Sequence, residues 1–124
     1  MRVPRLAVVV ELARIARVFS SVERGFRTEG PAPMLARLRN EGRRAEARNA
    51  ESRATLQQAI RWVDACVPAG RSCYRRALLE IALDPEAANE KLRIGLDVSG
   101  DSADGHAWLG DDPKMRRYSV ELDL

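Results

Sequence analysis

Cys73 is the side chain in this sequence whose type and setting best suit covalent catalysis. It follows Ser72, a residue type that caps helix N-termini, so the thiol is expected in the first turn of a helix. The free N–H groups and the dipole of that turn favour a thiolate, and Arg71, Arg75 and Arg76 add positive charge nearby. A thiolate is the nucleophile of a cysteine peptidase. The alternative is a structural cysteine buried in the core.

His106 is the single histidine of the chain and the candidate general base. It follows an Asp-Gly pair that is typical of a turn, and it opens a segment with the pattern of a strand. On a strand that faces a helix N-terminus, an imidazole could take the proton of a thiol and later return it to a leaving amine. A structural or merely exposed histidine is the alternative.

These two residues need a scaffold, and the first half of the chain predicts helices. Apolar residues recur every three or four positions over 6–19, which is typical of an amphipathic helix. Residues 28–33 contain two prolines and a glycine and interrupt that pattern. One or two further helical turns are expected over 34–39. Residues 41–54 favour a solvated helix, because they are rich in Ala, Arg and Glu, and an apolar helical face returns over 56–63.

The second half changes character. A helix is expected over 73–83, followed by a polar stretch over 84–90. Residues 91–98 alternate between apolar and polar side chains, which predicts a strand with one buried face. A turn over 99–105 then leads to a returning strand over 106–109. Helices followed by a small antiparallel sheet predict an α+β fold, with the cysteine-bearing helix packed on the sheet.

Length and composition place limits on organisation and partners. The 124 residues predict one domain, 1–124, with a helical part over 1–66 and a Cys/His core over 67–124. The net charge is only +3, and arginine is spread along the whole chain, which argues against a nucleic-acid binder. Residues 6–10 form an apolar run too short and too closely followed by charges to span a membrane or to act as a signal segment. With two cysteines and no sign of export, the expected location is the cytoplasm.

The remaining chemistry-bearing residues suggest no cofactor. One histidine and two cysteines cannot make a convincing zinc site, and no glycine-rich phosphate loop is present, so no metal or cofactor is expected. Cys66 is expected to pack under the site, with a resolving or regulatory thiol as the alternative. Trp108 is expected in the core or the cleft wall. Arg75 and Arg76 are expected on the solvated side of their helix, with recognition of an anion as the alternative.

Three ordered motifs resemble a known family. Residues 72–78 read SCYRRAL, residues 92–96 read LRIGL, and residues 105–108 read GHAW. In this order they resemble the transglutaminase-like leader peptidases of lasso-peptide biosynthesis. The resemblance covers residues 72 to about 118, and upstream only the helical character is similar.

The resemblance implies a transglutaminase/papain-like core and a Cys-His-Asp cysteine protease that removes the leader of a lasso-peptide precursor. In that family, a separate leader-binding protein usually delivers the precursor peptide. A separate ATP-dependent, asparagine-synthetase-like enzyme then cyclises the liberated core. The expected partners are therefore the precursor, the leader-binding protein and this lasso cyclase, with no nucleic acid and no membrane span.

The orienting acid departs from the family pattern. By motif, Asp111 is the nearest match, so the expected catalytic set is Cys73, His106 and Asp111. The family places this acid about a dozen residues after the histidine, but Asp111 follows His106 by only five, which is about 16 Å along a straight strand. It could approach the imidazole only if the backbone bends, for example at Gly110.

Several alternatives therefore stay open. Asp112 or Glu121 could replace Asp111, or no acid completes the triad and the chain is a catalytically impaired binding or scaffold subunit of the same maturation complex. A transferase that uses the same acyl-enzyme with an amine in place of water has the same nucleophile and base. The sequence does not separate that reaction from hydrolysis.

Overall fold

The computed structural model describes residues 5–68, 72–97, 104–110 and 120–123 of the chain. Within these ranges it contains five helices and three strands: α1 Arg5–Thr28, α2 Pro31–Arg43, α3 Ala50–Ala65, α4 Cys73–Leu83, α5 Pro85–Ala88, β1 Leu92–Asp97, β2 Asp104–Leu109 and β3 Val120–Asp123. The described part of the chain is mostly helical with a small antiparallel sheet, in agreement with the α+β class expected from the sequence.

The first two helices are longer than their sequence patterns predict. α1 continues beyond the apolar repeat of residues 6–19 to Thr28, whose hydroxyl donates a hydrogen bond to the carbonyl of Arg24 one turn earlier. The break lies at Glu29 and Gly30. The proline at 31 begins α2 rather than ending a helix, because a proline has no N–H to lose in a first turn.

The prediction of a solvated helix over residues 41–54 is wrong. α2 ends at Arg43 and α3 begins at Ala50, with Asn49 as the N-cap that accepts a hydrogen bond from the Ser52 N–H at 2.8 Å. In the loop between them the side chain of Arg48 is only 4% exposed and binds both carboxylate oxygens of Glu11 at 2.9 and 3.0 Å. The arginine that looked solvent-facing in the sequence therefore connects this loop to α1.

The core is built around α4, which packs against all four other helices and against β2. Its fully buried side chains include Leu78, Leu79 and Ile81. The core also takes Ile15 from α1, and it continues through the other helices and the sheet to Leu38, Leu56, Leu92 and Ala107. No helix in the described part of the chain is both long enough and apolar enough to cross a lipid bilayer.

The sheet has the strand order β2-β1-β3, and both pairings are antiparallel. The register pairs Leu92 with Leu109 and Ile94 with Ala107, and these four residues pack on the core. The alternation predicted for 91–98 and the returning strand at 106–109 are thus confirmed. The turn expected over 99–105 lies mostly outside the described residues, and β3 was not predicted.

Candidate active site

Cys73 is the first residue of α4, as the sequence predicts. The Ser72 hydroxyl oxygen accepts a hydrogen bond from the Arg75 N–H at 3.2 Å, so Ser72 is the N-cap. Cys73 is half-buried, and its thiol is free. The nucleophile candidate therefore lies where the amides and the dipole of the helix favour a negative charge.

The sulfur of Cys73 lies against the strand that carries His106. The Ala107 N–H donates a hydrogen bond to Cys73 Sγ at 3.2 Å. Ala107 is the residue after His106, and peptide geometry then places the His106 Cα within about 6 Å of the sulfur. Folding thus brings together two segments that are far apart in sequence.

The contact lies on the open edge of the sheet. The Gly110 N–H donates to the Lys91 carbonyl at 2.9 Å, so even-numbered residues of β2 turn their N–H groups toward β1 and Ala107 turns its own away. Ala107 belongs to the inner face with Ile94, and strand alternation assigns His106 to the other face. The side chain of His106 is half-buried and is attached on the outer face of the sheet. The Cys73 sulfur lies at the sheet edge, between the outer and inner faces.

A cavity of about 400 Å³ opens beside Cys73. α4 contributes Cys73, Arg76, Ala77 and Glu80, which recur with helical spacing and form one stripe. Residues of α3, the α5 region and β2 complete the walls. Among the described residues, the lining includes Ala107, Trp108 and Leu109 of β2 but not His106. Trp108 is 9% exposed, as expected for an aromatic residue of the cleft wall.

A buried ion cluster holds the start of α4. Asp64, in the last turn of α3, is fully buried and accepts hydrogen bonds from the Ser72 N–H at 2.9 and 3.2 Å. Arg75 Nη1 donates to the same carboxylate at 3.0 Å, and Arg76 Nε lies 3.5 Å from it. Asp64 was missed by sequence reasoning, because its partners lie on the far side of the turn that follows α3.

The expected solvated position of Arg75 is wrong. The residue is 8% exposed, donates to Glu23 of α1 at 2.8 Å, and lies over the ring of Phe19 with 5.9 Å to its centroid. Burial by itself lowers the pKa of Arg75, but the hydrogen bonds to Glu23 and Asp64 outweigh it and raise the pKa. Arg75 is therefore a buried cation that ties α1 and α3 to the cysteine-bearing helix.

Three acids were considered as the group that orients His106: Asp111, Asp112 and Glu121. Asp111 and Asp112 lie outside the described residues. Gly110, the position at which a bend would be needed for Asp111 to approach His106, adopts a left-handed φ of 73° directly after β2. In the sheet, Gly95 of β1 is paired with His106 on one side and with Glu121 on the other, which puts Glu121 in the same cross-strand row as His106.

Comparison with known proteins found no match among family models, curated proteins or solved structures.

The second cysteine does not belong to this site. Cys66 is exposed at the C-cap of α3 and lines a separate apolar groove with Leu12, Phe19 and Trp62, so the expectation that it packs under the site is wrong. Within the described ranges, no group of three or more His, Cys, Asp or Glu side chains could hold a metal ion.

The cavity lining includes a carboxylate, Glu80, whose charge opposes folding at neutral pH. Glu80 accepts a hydrogen bond from Gln57 Nε2 at 2.7 Å, and burial raises the pKa of Glu80 above its ordinary value. A carboxyl whose pKa is raised on folding favours the folded state below its unfolded pKa. That contribution is lost as the pH rises through the folded pKa.

We expect Glu80→Gln to increase the free energy of unfolding at pH 7 and to leave it nearly unchanged near pH 3. The amide oxygen still accepts from Gln57, but no charge has to be buried. Urea denaturation of both proteins between pH 3 and pH 8 measures this difference. Glu46→Gln, at a carboxylate with 81% exposed side chain, is the control for the loss of one charge. Equal pH profiles for Glu80→Gln and wild type would contradict the prediction.

Proposed function

We propose that this chain is a transglutaminase-like cysteine peptidase that removes the leader from a lasso-peptide precursor, with Cys73 as nucleophile and His106 as general base. The observation that carries the proposal is the 3.2 Å contact between Cys73 Sγ and the N–H of Ala107, next to His106. The helix packed on an antiparallel sheet and the order of the three motifs support a papain-like core.

The reaction would begin with transfer of the Cys73 thiol proton to His106. The thiolate attacks the carbonyl carbon of the scissile peptide bond, and backbone amides near Cys73 stabilise the oxyanion. His106 then returns the proton to the leaving amine as the C–N bond breaks, which leaves a thioester on Cys73. Water, deprotonated by His106, hydrolyses the thioester and restores the free thiol.

The contact geometry limits how His106 reaches the sulfur. Cys73 Sγ lies at the open edge of β2. The imidazole of His106, attached on the outer face of the sheet, can approach the sulfur by folding over this edge. An orienting acid would hold the imidazole in that direction and fix its tautomer. Asp111 is the acid that the resemblance suggests, and Glu121 is the alternative in the row of His106.

The substrate would be an extended precursor segment that enters the cavity beside Cys73 along the sheet edge. A separate leader-binding protein would deliver it in the cytoplasm. The released core would pass to an asparagine-synthetase-like cyclase. These partners follow from the resemblance and are part of the same proposal.

Cleavage of the cognate precursor peptide by the purified protein, together with its leader-binding partner, tests the proposal. We expect Cys73→Ala to abolish cleavage, because alanine has no thiol with which to form the acyl-enzyme at this site. Cys66→Ala is the matched control and is expected to retain activity, since Cys66 lines a different surface. Mass spectrometry of the products separates hydrolysis from transfer to an amine. Equal cleavage by Cys73→Ala and wild type would exclude the assignment.

A non-catalytic scaffold or binding subunit is the second candidate. Among the described residues, His106 is absent from the cavity lining, and Asp111 follows His106 by only five residues, where the resembled family has about a dozen. The rate of Cys73 alkylation by iodoacetamide across pH separates the two. At neutral pH, a peptidase nucleophile is expected to react faster than the exposed thiol of Cys66 in the same molecule, and a scaffold cysteine no faster.

A further inference from the structure

Three contacts set the alignment of α3 against α4. Arg53 Nε donates to Asp84 Oδ2 at 2.7 Å, Gln57 Nε2 donates to Glu80 Oε1 at 2.7 Å, and Asp64 binds the start of α4. The two helices are therefore antiparallel, and residues of α3 between Gln57 and Asp64 lie beside the first turns of α4.

This alignment separates the charges along the cavity. Arg61 of α3 falls between Gln57 and Asp64, at the level of Arg76, so both arginines line the end of the cavity near Cys73. Arg76 follows Cys73 by three residues, about 4.5 Å along the helix axis, whereas Glu80 follows by seven, about 10 Å. Of the side chains that line the cavity, the carboxylates lie toward one end, and Cys73 lies at the other end together with Arg61 and Arg76.

Arg76 is held at one end of its side chain. Its Nε is buried and lies 3.5 Å from Asp64 Oδ2, without a hydrogen bond. The side chain is 39% exposed, and no hydrogen bond of its terminal nitrogens to a described residue is found. Arg53 differs from Arg76, because it uses a terminal nitrogen, Nη2, as well as Nε in its ion pairs with Glu86 and Asp84. Arg76 therefore presents hydrogen-bond donors and a positive charge to whatever occupies the cavity.

We propose that Arg76, with Arg61 beside it, forms an anion-binding subsite next to Cys73 that takes a carboxylate of the peptide substrate close to the scissile bond. As a substrate subsite it rests on the proposed peptidase function. A guanidinium fits a carboxylate with paired hydrogen bonds, and Asp64 limits the movement of its Nε end. The subsite would select precursors with an acidic side chain near the cleavage site.

Alkylation of Cys73 by anionic iodoacetate and by neutral iodoacetamide tests the subsite without any catalytic turnover. Both rates are measured by mass spectrometry of the Cys73 peptide at pH 9.5. At that pH an ordinary imidazole is neutral and arginine keeps its charge. Cys66, in the same molecule, is the internal control thiol. We expect the iodoacetate-to-iodoacetamide ratio to be higher at Cys73 than at Cys66.

Arg76→Gln is expected to lower the ratio at Cys73 about fivefold while the iodoacetamide rate changes less than about twofold, and Arg76→Lys should restore part of it. Arg44→Gln, an exposed arginine at the C-cap of α2, controls for the loss of one positive charge. An unchanged ratio in Arg76→Gln, or an equal fall in Arg44→Gln, overturns the subsite. If Cys73→Ala still cleaves the precursor but the Arg76 effect is present, the anion site stands and the peptidase assignment fails.

Discussion

Replacing Asp64 by alanine is expected to lower the free energy of unfolding by about 3–5 kcal/mol, which is the usual cost of removing one partner from a buried ion pair. The carboxylate is fully buried, and the variant leaves the Arg75 guanidinium without its 3.0 Å partner. The Ser72 N–H also loses its acceptor, so the first turn of α4, which carries Cys73, is no longer held to α3.

Urea denaturation followed by circular dichroism measures this change. Asp64→Asn keeps an oxygen for the Ser72 N–H but removes the charge, so we expect an intermediate loss of stability from a protein that still folds. Glu46→Ala removes an exposed carboxylate with a 3.4 Å ion pair to Arg14 and is expected to cost less than about 1 kcal/mol. If Asp64→Ala costs no more than Glu46→Ala, the cluster does not support α4.

Gly42→Ala is expected to lower the free energy of unfolding by about 3 kcal/mol. A Cβ at this position would collide with the carbonyl oxygen of Ile81 and would lie 2.8 Å from the Cβ of Ala88. The obstacle is the backbone of α4, so α2 could make room only by moving away from the helix that carries Cys73. In an exposed helix the same substitution usually stabilises the protein by about 0.5–1 kcal/mol. A decrease in the free energy of unfolding would therefore indicate that α2 and α4 approach each other closely at Gly42.

Gly30→Ala is the matched control for this prediction. Its φ of −71° suits an L-residue, and the nearest atom to a new Cβ would be Pro33 Cδ at 3.5 Å, an ordinary contact. We expect the free energy of unfolding to change by less than about 1 kcal/mol, since the one expected effect is that alanine caps a helix less well than glycine. Thermal unfolding of both variants compares the two positions. A Gly42→Ala protein as stable as Gly30→Ala would show that α2 and α4 do not pack this closely.

The sequence alone predicted the elements whose signals lie within a few residues. Ser72 marks the start of α4 because its hydroxyl caps the turn that follows it, and the alternation around Leu92 and Ile94 marks β1 because one face of the strand is buried. Such signals depend on neighbouring residues only. The prediction of one helix over 41–54 was wrong because Asn49 caps a new helix and Arg48 forms an ion pair with Glu11, which is distant in sequence, in α1.

For the candidate site, the sequence supplied the residue types, Cys73 and His106, and the expectation that they meet. Only the tertiary structure decided that the sulfur binds the N–H of Ala107 at the open edge of the sheet, that Asp64 anchors the cysteine-bearing helix, and that Arg75 is buried. The physical reason is that a buried ion pair or a backbone hydrogen bond to sulfur depends on which distant segments pack together. Propensity and periodicity report the local chain and carry no information about that packing.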